Sequence, residues 1–244
     1  MVVAALGLAA LAGGCSTNHP AALKPLPKPK AHHAVVVAVS SPAGTTLVAT
    51  TDGSIPGSPA PGAPSNLVVP GSWYGYPSVL PVIASRPNWV EVRLAQRPNG
   101  STTWVPQRDV SLAVTPYEIL IDLATRNLTV LYNGTQILSF PVGVGVPATP
   151  TVTGDYFVAM KAAAPSPGYG PFVLVTSAHS DAITDWEQSG DAIIAIHGPI
   201  TAYDDSLIGT TGAAISNGCI RMHDADLAQL GDVPAGTPVD IVAS

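Results

Sequence analysis

A mainly β fold is predicted by three features of the 244-residue sequence. Short runs rich in Val, Ile, Thr and Tyr recur at about ten-residue spacing, the rhythm of a small barrel or sandwich. Gly and Pro punctuate them, with 23 and 25 copies, and these are the residues that end strands and make turns. Charged side chains are only 11% of the chain, against about 25% in an average soluble protein. Helix is expected as the minor component.

The elements follow in order. Residues 1–14 (MVVAALGLAALAGG) carry no charge and are too short to anchor in a bilayer as a stable helix. They read as the apolar core of a secretory signal ending in small residues. Cys15 follows at once, and the junction resembles a bacterial lipoprotein cleavage site, with Cys15 as first mature residue and lipid attachment point. The plainer reading is a secretion signal with an incidental cysteine. Residues 15–34 hold Pro20, Pro25, Pro27 and Pro29 with Lys24, Lys28 and Lys30, a polyproline-like tether. Residues 35–114 read as a small β module. Its strands are expected within 35–50, at 79–84, 89–94 and 101–105, with a Pro/Gly loop at 54–65 and a turn at Pro98-Asn99-Gly100.

A boundary falls near Thr115-Pro116, and 115–244 form the second domain. Strands are expected at 117–123, 127–132 and 135–142, the last two joined by Asn133-Gly134, a strong hairpin signal. Further strands are expected at 155–160, 172–176, 192–197 and 238–242. Asp224 is placed to cap a short helix over 225–230.

Charge limits the partners. The chain carries 10 basic and 16 acidic residues. Such a balance argues against nucleic acid, whose binding needs clustered cations. No run of residues approaches the roughly 20 apolar positions of a membrane helix.

Two clusters carry candidate chemistry. An apolar strand, Ile194-Ala195-Ile196, delivers His197 and Gly198 to its end. Downstream, Ser216-Asn217-Gly218-Cys219-Ile220-Arg221-Met222 places a cysteine after a tight turn. There are two cysteines, Cys15 and Cys219. If Cys15 carries lipid, Cys219 is an unpaired thiol in an exported protein, which marks it as a candidate reactive group. A free thiol is only partly ionised at neutral pH, and a neighbouring His can hold it as thiolate or take its proton during attack. Turn N–H groups can bind an oxyanion. Taken singly, a buried Cys is usually a small hydrophobe and a strand-end His usually structural.

The region from His197 to Met222 resembles the active-site signature of the YkuD-type L,D-transpeptidases: a His-Gly, a variable loop, then Ser-x-Gly-Cys-x-Arg. Phe140–Val146 (FPVGVGV), Ala148-Thr149-Pro150-Thr151, Gly154-Asp155-Tyr156-Phe157, Gly170-Pro171-Phe172 and Thr176–Ser180 are similar to further segments of that family, in the same order. The resemblance covers about 117–242. It implies a mostly antiparallel β-sandwich or barrel with a short helix, acting on peptidoglycan stem peptides outside the cytoplasm, at the cell wall or membrane. It implies a Cys219 nucleophile, a His197 base oriented by the Gly198 carbonyl, and an oxyanion hole of N–H groups around Asn217, Gly218 and Cys219. Ser216 and Arg221 occupy signature positions, and Arg221 would brace the loop or bind a substrate carboxylate. No cofactor or metal is implied. Acylation by carbapenems is. The expected activity is formation of 3-3 peptidoglycan cross-links through a cysteine thioester. The alternatives are an L,D-carboxypeptidase or cysteine peptidase of the same fold, or a catalytically silent wall-binding module.

Asn217 stands where most members have His. The loop from His197 to Cys219, with Tyr203, Asp204 and Asp205, reads equally as a surface loop or a substrate lid. His179 is expected to line the cleft and His223 to be structural. His19, His32 and His33 fall in the tether. Trp73, Trp89 and Trp104 read as core of the first β module, which resembles an SH3-like unit and would serve as wall binder or spacer.

Overall fold

Alternation of apolar and polar residues sets most of the strands. In Trp89–Arg93 only Val90 and Val92 are buried, the period of two that a one-sided sheet requires. The computed structural model describes residues 38–243; the expected signal at 1–14, Cys15 and the tether at 15–34 lie outside the described residues.

The first part comprises β1 (Thr46–Thr50), β2 (Ile55–Gly57), β3 (Leu67–Val69), β4 (Ser72–Trp73), β5 (Tyr76–Pro77), β6 (Val79–Arg86), β7 (Trp89–Arg93), β8 (Thr102–Pro106) and β9 (Ser111–Thr115). Five of them form an antiparallel sheet ordered β8-β7-β6-β1-β9. Two departures from expectation are local. Within 38–50 only Thr46–Thr50 is a strand. The Pro/Gly loop contains β2, which pairs with β3 because Gly57 has no Cβ: one there would lie 2.6 Å from Leu67 and Thr103.

The second part comprises β10 (Tyr117–Asp122), β11 (Asn127–Tyr132), β12 (Thr135–Pro141), β13 (Val144–Gly145), β14 (Gly154–Ala162), β15 (Val173–His179), β16 (Ile193–His197), α1 (Ala202–Leu207), β17 (Ala214–Ser216), β18 (Ile220–Arg221), α2 (Asp224–Ala228) and β19 (Pro238–Val242). Asn133 and Gly134 both take positive φ, 49° and 73°, the mirror-image turn whose twist suits a hairpin. The eight-stranded sheet runs β12-β11-β10-β19-β14-β15-β16-β18. It is mostly antiparallel, but β10 with β19 and β16 with β18 pair in parallel. The fold is mainly β, as the composition indicated.

Asp224 is not the cap of α2. His223 occupies that position, and Asp224 is the first helical residue, where its charge complements the free N–H groups of the first turn. Helix α1 was not anticipated. Thr201 caps it, accepting the Asp204 N–H, a short form of the usual Ser/Thr start signal.

Two apolar clusters hold the molecule together. One covers the inner face of the large sheet and includes Ile119, Ile121, Leu174, Ile194, Ile196, Ile220 and Leu227. The other lies on the first sheet, with Val90, Val92 and Leu94, and takes in Phe157 and Ala159 from β14. Arg97 ties the two sheets at the edge: its Nε donates to Asp191 at 2.8 Å, and one Nη donates to the Ser180 and Ile183 carbonyls.

Candidate active site

The site grows from the parallel pairing of β16 and β18. His197 stands opposite Arg221, and Ile196 opposite Ile220. Ile196 and Ile220 point into the apolar core. Alternation then puts Ala195, His197, Cys219 and Arg221 on the other face. Cys219 and His197 are thus diagonal neighbours, two register positions apart on the same face of this pairing. Sequence separation of 22 positions is closed by the strand pairing alone.

His197 is buried, at 3% exposure, and its Nδ1 lies 2.7 Å from the Gly198 carbonyl oxygen. A carbonyl only accepts, so Nδ1 carries the proton and Nε2 is left with its lone pair. The Tyr169 ring packs on the imidazole, centroids 4.7 Å apart. Tyr169 comes from a 3-10 turn at Pro167–Tyr169 that is strapped to the segment after His197. Gly198 N–H donates to the Tyr169 carbonyl at 2.9 Å, and Ile200 N–H to that of Gly168 at 2.8 Å.

Cys219 is a half-buried free thiol. The turn before it is pinned by Ser216, whose Oγ donates to the Cys219 carbonyl at 2.6 Å and accepts the Gly218 N–H at 3.1 Å. Gly218 has φ +116°, and a Cβ there would lie 2.7 Å from Ile194 Cδ1. The segment 145–151 forms a second wall. Thr151 Oγ1 donates to the Gly218 carbonyl at 2.8 Å and accepts the Gly145 N–H at 2.9 Å. Thr149 Oγ1 donates to Asn217 Oδ1 at 3.2 Å.

The expected three-amide oxyanion hole needs one correction. The Gly218 N–H is occupied by Ser216 Oγ, because the tight turn brings that hydroxyl back onto it. The Asn217 and Cys219 N–H groups have no acceptor among the described residues.

Arg221 forms an ion pair with Asp204 of α1 at 2.8 Å. Its Nη1 also donates to the Pro199 carbonyl at 3.4 Å, while its Nε is buried without a hydrogen-bond partner. Next to it, His223 Nδ1 meets Asp205 at 2.7 Å. Two successive residues of helix α1 are thereby fastened to the segment that follows the cysteine, at Arg221 and His223. His179 does not line an open cleft. It is 2% exposed, and its Nδ1 lies 2.8 Å from Asp191, off the line of a hydrogen bond. Burial lowers its pKa, against the pull of Asp191.

Electrostatics set the resting state. Burial pushes His197 down to about 4; the Gly198 bond opposes this and the Arg221 charge adds to it. Burial pushes the Cys219 thiol up, against the Ala195 N–H and the Arg221 charge. At neutral pH the pair is therefore a thiol beside a neutral imidazole, not a thiolate–imidazolium pair. Such a pair can attack an acyl carbon with proton removal in the same step. No three His, Cys, Asp or Glu side chains are grouped to hold a metal among the described residues.

The YkuD family model, the L,D-transpeptidase catalytic domain, matches residues 116–241. The chain belongs to the YkuD family. The YkuD domain is 33% identical over 127 residues to the YkuD protein of Bacillus licheniformis and 28% identical over 127 to that of Bacillus subtilis. Each match covers 52% of this chain and 66% of the relative, just under two thirds of its length. Among solved structures, an L,D-transpeptidase from Mycobacterium smegmatis aligns with TM-score 0.41 and 17% identity, over 64% of this chain and 91% of the other. The catalytic domain of the Enterococcus faecium L,D-transpeptidase aligns with TM-score 0.37 and 24% identity, over 52% and 96%.

Every signature residue from Ser216 to Arg221 lies in the turn and strand beside His197. Reading the sequence missed Tyr169 and the part played by Thr151. Tyr169 had a signal only in its Pro-Gly-Tyr-Gly turn context, and Thr151 in its place within the Thr-Pro-Thr segment.

Proposed function

We propose that this protein is an L,D-transpeptidase of peptidoglycan that works through a Cys219 thioester. The observation that carries the reading is the diagonal placement of Cys219 and His197 on one face of β16 and β18, with the imidazole tautomer fixed by Gly198. Family membership of residues 116–241 supports the same chemistry.

In the first half-reaction Cys219 Sγ bonds to the carbonyl carbon that precedes a terminal D-residue of a donor stem, and His197 Nε2 takes the thiol proton. The oxyanion rests on the Cys219 and Asn217 N–H groups. The C–N bond breaks, and the imidazolium returns its proton to the leaving amine. In the second, an acceptor amine attacks the thioester and gives its proton to Nε2. A new amide forms as the C–S bond breaks, and Sγ takes the proton back from Nε2, leaving a 3-3 cross-link and the resting thiol. The site needs no cofactor for these steps. Water in place of the amine makes it an L,D-carboxypeptidase. The enzyme is read as exported and held at the membrane through Cys15.

The test is intact-protein mass after exposure to a carbapenem, with Cys219→Ser alongside. An adduct on the parent that is missing from the variant is expected. A folded parent with a free thiol and no adduct would favour a silent wall-binding module. Product analysis on stem peptides with and without an acceptor amine separates transfer from hydrolysis.

A further inference from the structure

The charge beside the catalytic pair poses a problem that the fold resolves. Arg221 sits directly across from His197 on the same face, and its positive charge disfavours the protonated imidazole and favours the thiolate. Yet the imidazole must become cationic when it takes the thiol proton. The Tyr169 ring and the Gly198 carbonyl, neither a full charge, also pack on the ring, and the Asp224 carboxylate stands behind Gly198, where a Cβ would lie 2.5 Å from its Oδ1. The carboxylate that meets the Arg221 guanidinium is Asp204, at 2.8 Å, with both side chains largely buried, at 15% and 18% exposure. Burial strengthens such a pairing, since few waters screen it.

Asp204 is itself held in place. Its Oδ2 accepts from Thr201 Oγ1 at 2.8 Å, and its N–H donates back to that hydroxyl at 3.0 Å. The cap of α1 therefore aims the carboxylate. Among the described residues, the guanidinium is anchored apart from Asp204 only by the 3.4 Å contact to Pro199, and its Nε has no partner.

We propose that Asp204 is a positioning residue for the Cys219–His197 pair: it fixes the Arg221 guanidinium beside the imidazole and offsets its charge as the imidazole accepts the thiol proton. Helix α1, inserted between the two catalytic segments, is on this account the carrier of a counter-charge rather than a surface loop or a lid. The inference rests on the reading of Cys219 as nucleophile and His197 as its base.

The test uses the full chain with Asp204→Asn, Arg221→Gln, the double variant and Asp204→Glu. Two rates are measured for each: alkylation of Cys219 by iodoacetamide in short pulses from about pH 2.5 to about pH 11, wide enough to hold both limbs, and acylation by a carbapenem. Asp204→Asn leaves the Arg221 charge uncompensated. Both limbs of its alkylation profile should move to lower pH by about one pH unit, and its acylation at neutral pH should slow about tenfold or more. Removing the cation as well should return both limbs toward the parent, and Asp204→Glu should keep them near it. A merely structural brace would not move both limbs in one direction, and the double variant would be no better than the single. Unmoved limbs, or a double variant as slow as Asp204→Asn, overturn the proposal. If Asp204→Asn does not fold, Asp204→Glu and Arg221→Gln decide: parent-like limbs in the first with shifted limbs in the second support it, and parent-like limbs in both overturn it. A parent that alkylates with these shifts but takes no carbapenem would sink the transpeptidase reading while leaving the role of Asp204 intact.

Discussion

Burial holds His197 neutral inside the protein, as the proposed role of base toward Cys219 requires. Its pKa of about 4, against 6.5 for the free side chain, has a stability consequence. Below pH 6.5 the unfolded chain protonates this histidine and the native one does not. The stabilisation is whole above 6.5 and is lost as pH falls toward 4, by about 3 kcal/mol. Urea unfolding of the parent and His197→Gln across pH 4 to 7 checks it: relative to the variant, the parent should lose that amount on acidification. If His197 is the base, as proposed, the same depression places the acid limb of activity near pH 4, because the base form persists down to there. Gly218 illustrates a different residue-scale constraint. Its φ of +116° is one that L side chains rarely adopt, so the turn that presents Cys219 requires glycine.

At the scale of elements, the site is a strand pair wrapped by two segments from elsewhere. The 145–151 segment folds back on itself so tightly that a Cβ on Gly145 would lie 2.4 Å from the Thr149 carbonyl oxygen. Thr151, 5% exposed, links it to the cysteine turn through one hydroxyl with two backbone partners. Thr151→Val keeps the shape and strands both partners in a buried place. The expected cost is about 3 kcal/mol, and thermal denaturation would report it. Acylation of Cys219 should slow as well, since the Gly218 peptide loses its anchor.

The whole molecule joins two sheets through a polar face as well as an apolar one. Asp240 on β19 lies directly across from Asp155 on β14, and Arg93 of the first sheet reaches Asp155 at 3.3 Å. Burial, then Asp155 and Glu118, push Asp240 up to about 6, with Arg93 opposing. The native state thus holds this proton at pH values where the unfolded chain has released it. Its contribution is present below about pH 4 and is lost as pH rises through 6. Asp240→Asn should therefore stabilise the protein at pH 7 by about 2 kcal/mol, a gain that vanishes near pH 4 in chemical denaturation. This slope runs against that of His197, so the parent should be flatter between pH 4 and 6 than either variant.

The sequence by itself determined the β class, the hairpin at Asn133-Gly134, strands such as Asn127–Tyr132 and Pro238–Val242, and the candidate pair Cys219 and His197. These are local: period-two burial, turn residues that tolerate positive φ, and two short motifs. What only the tertiary structure decided is everything set by long-range pairing. The parallel register of β16 and β18 places the thiol diagonal to the imidazole. The return of Ser216 Oγ occupies the Gly218 N–H, which the resemblance had assigned to an oxyanion hole. The packing of α1 gives Arg221 its partner in Asp204, and the fold buries His179 with Asp191 and Arg97 instead of in a cleft. A residue's type limits which bonds it can make; the fold alone fixes which neighbour reaches it first and whether water is there to compete.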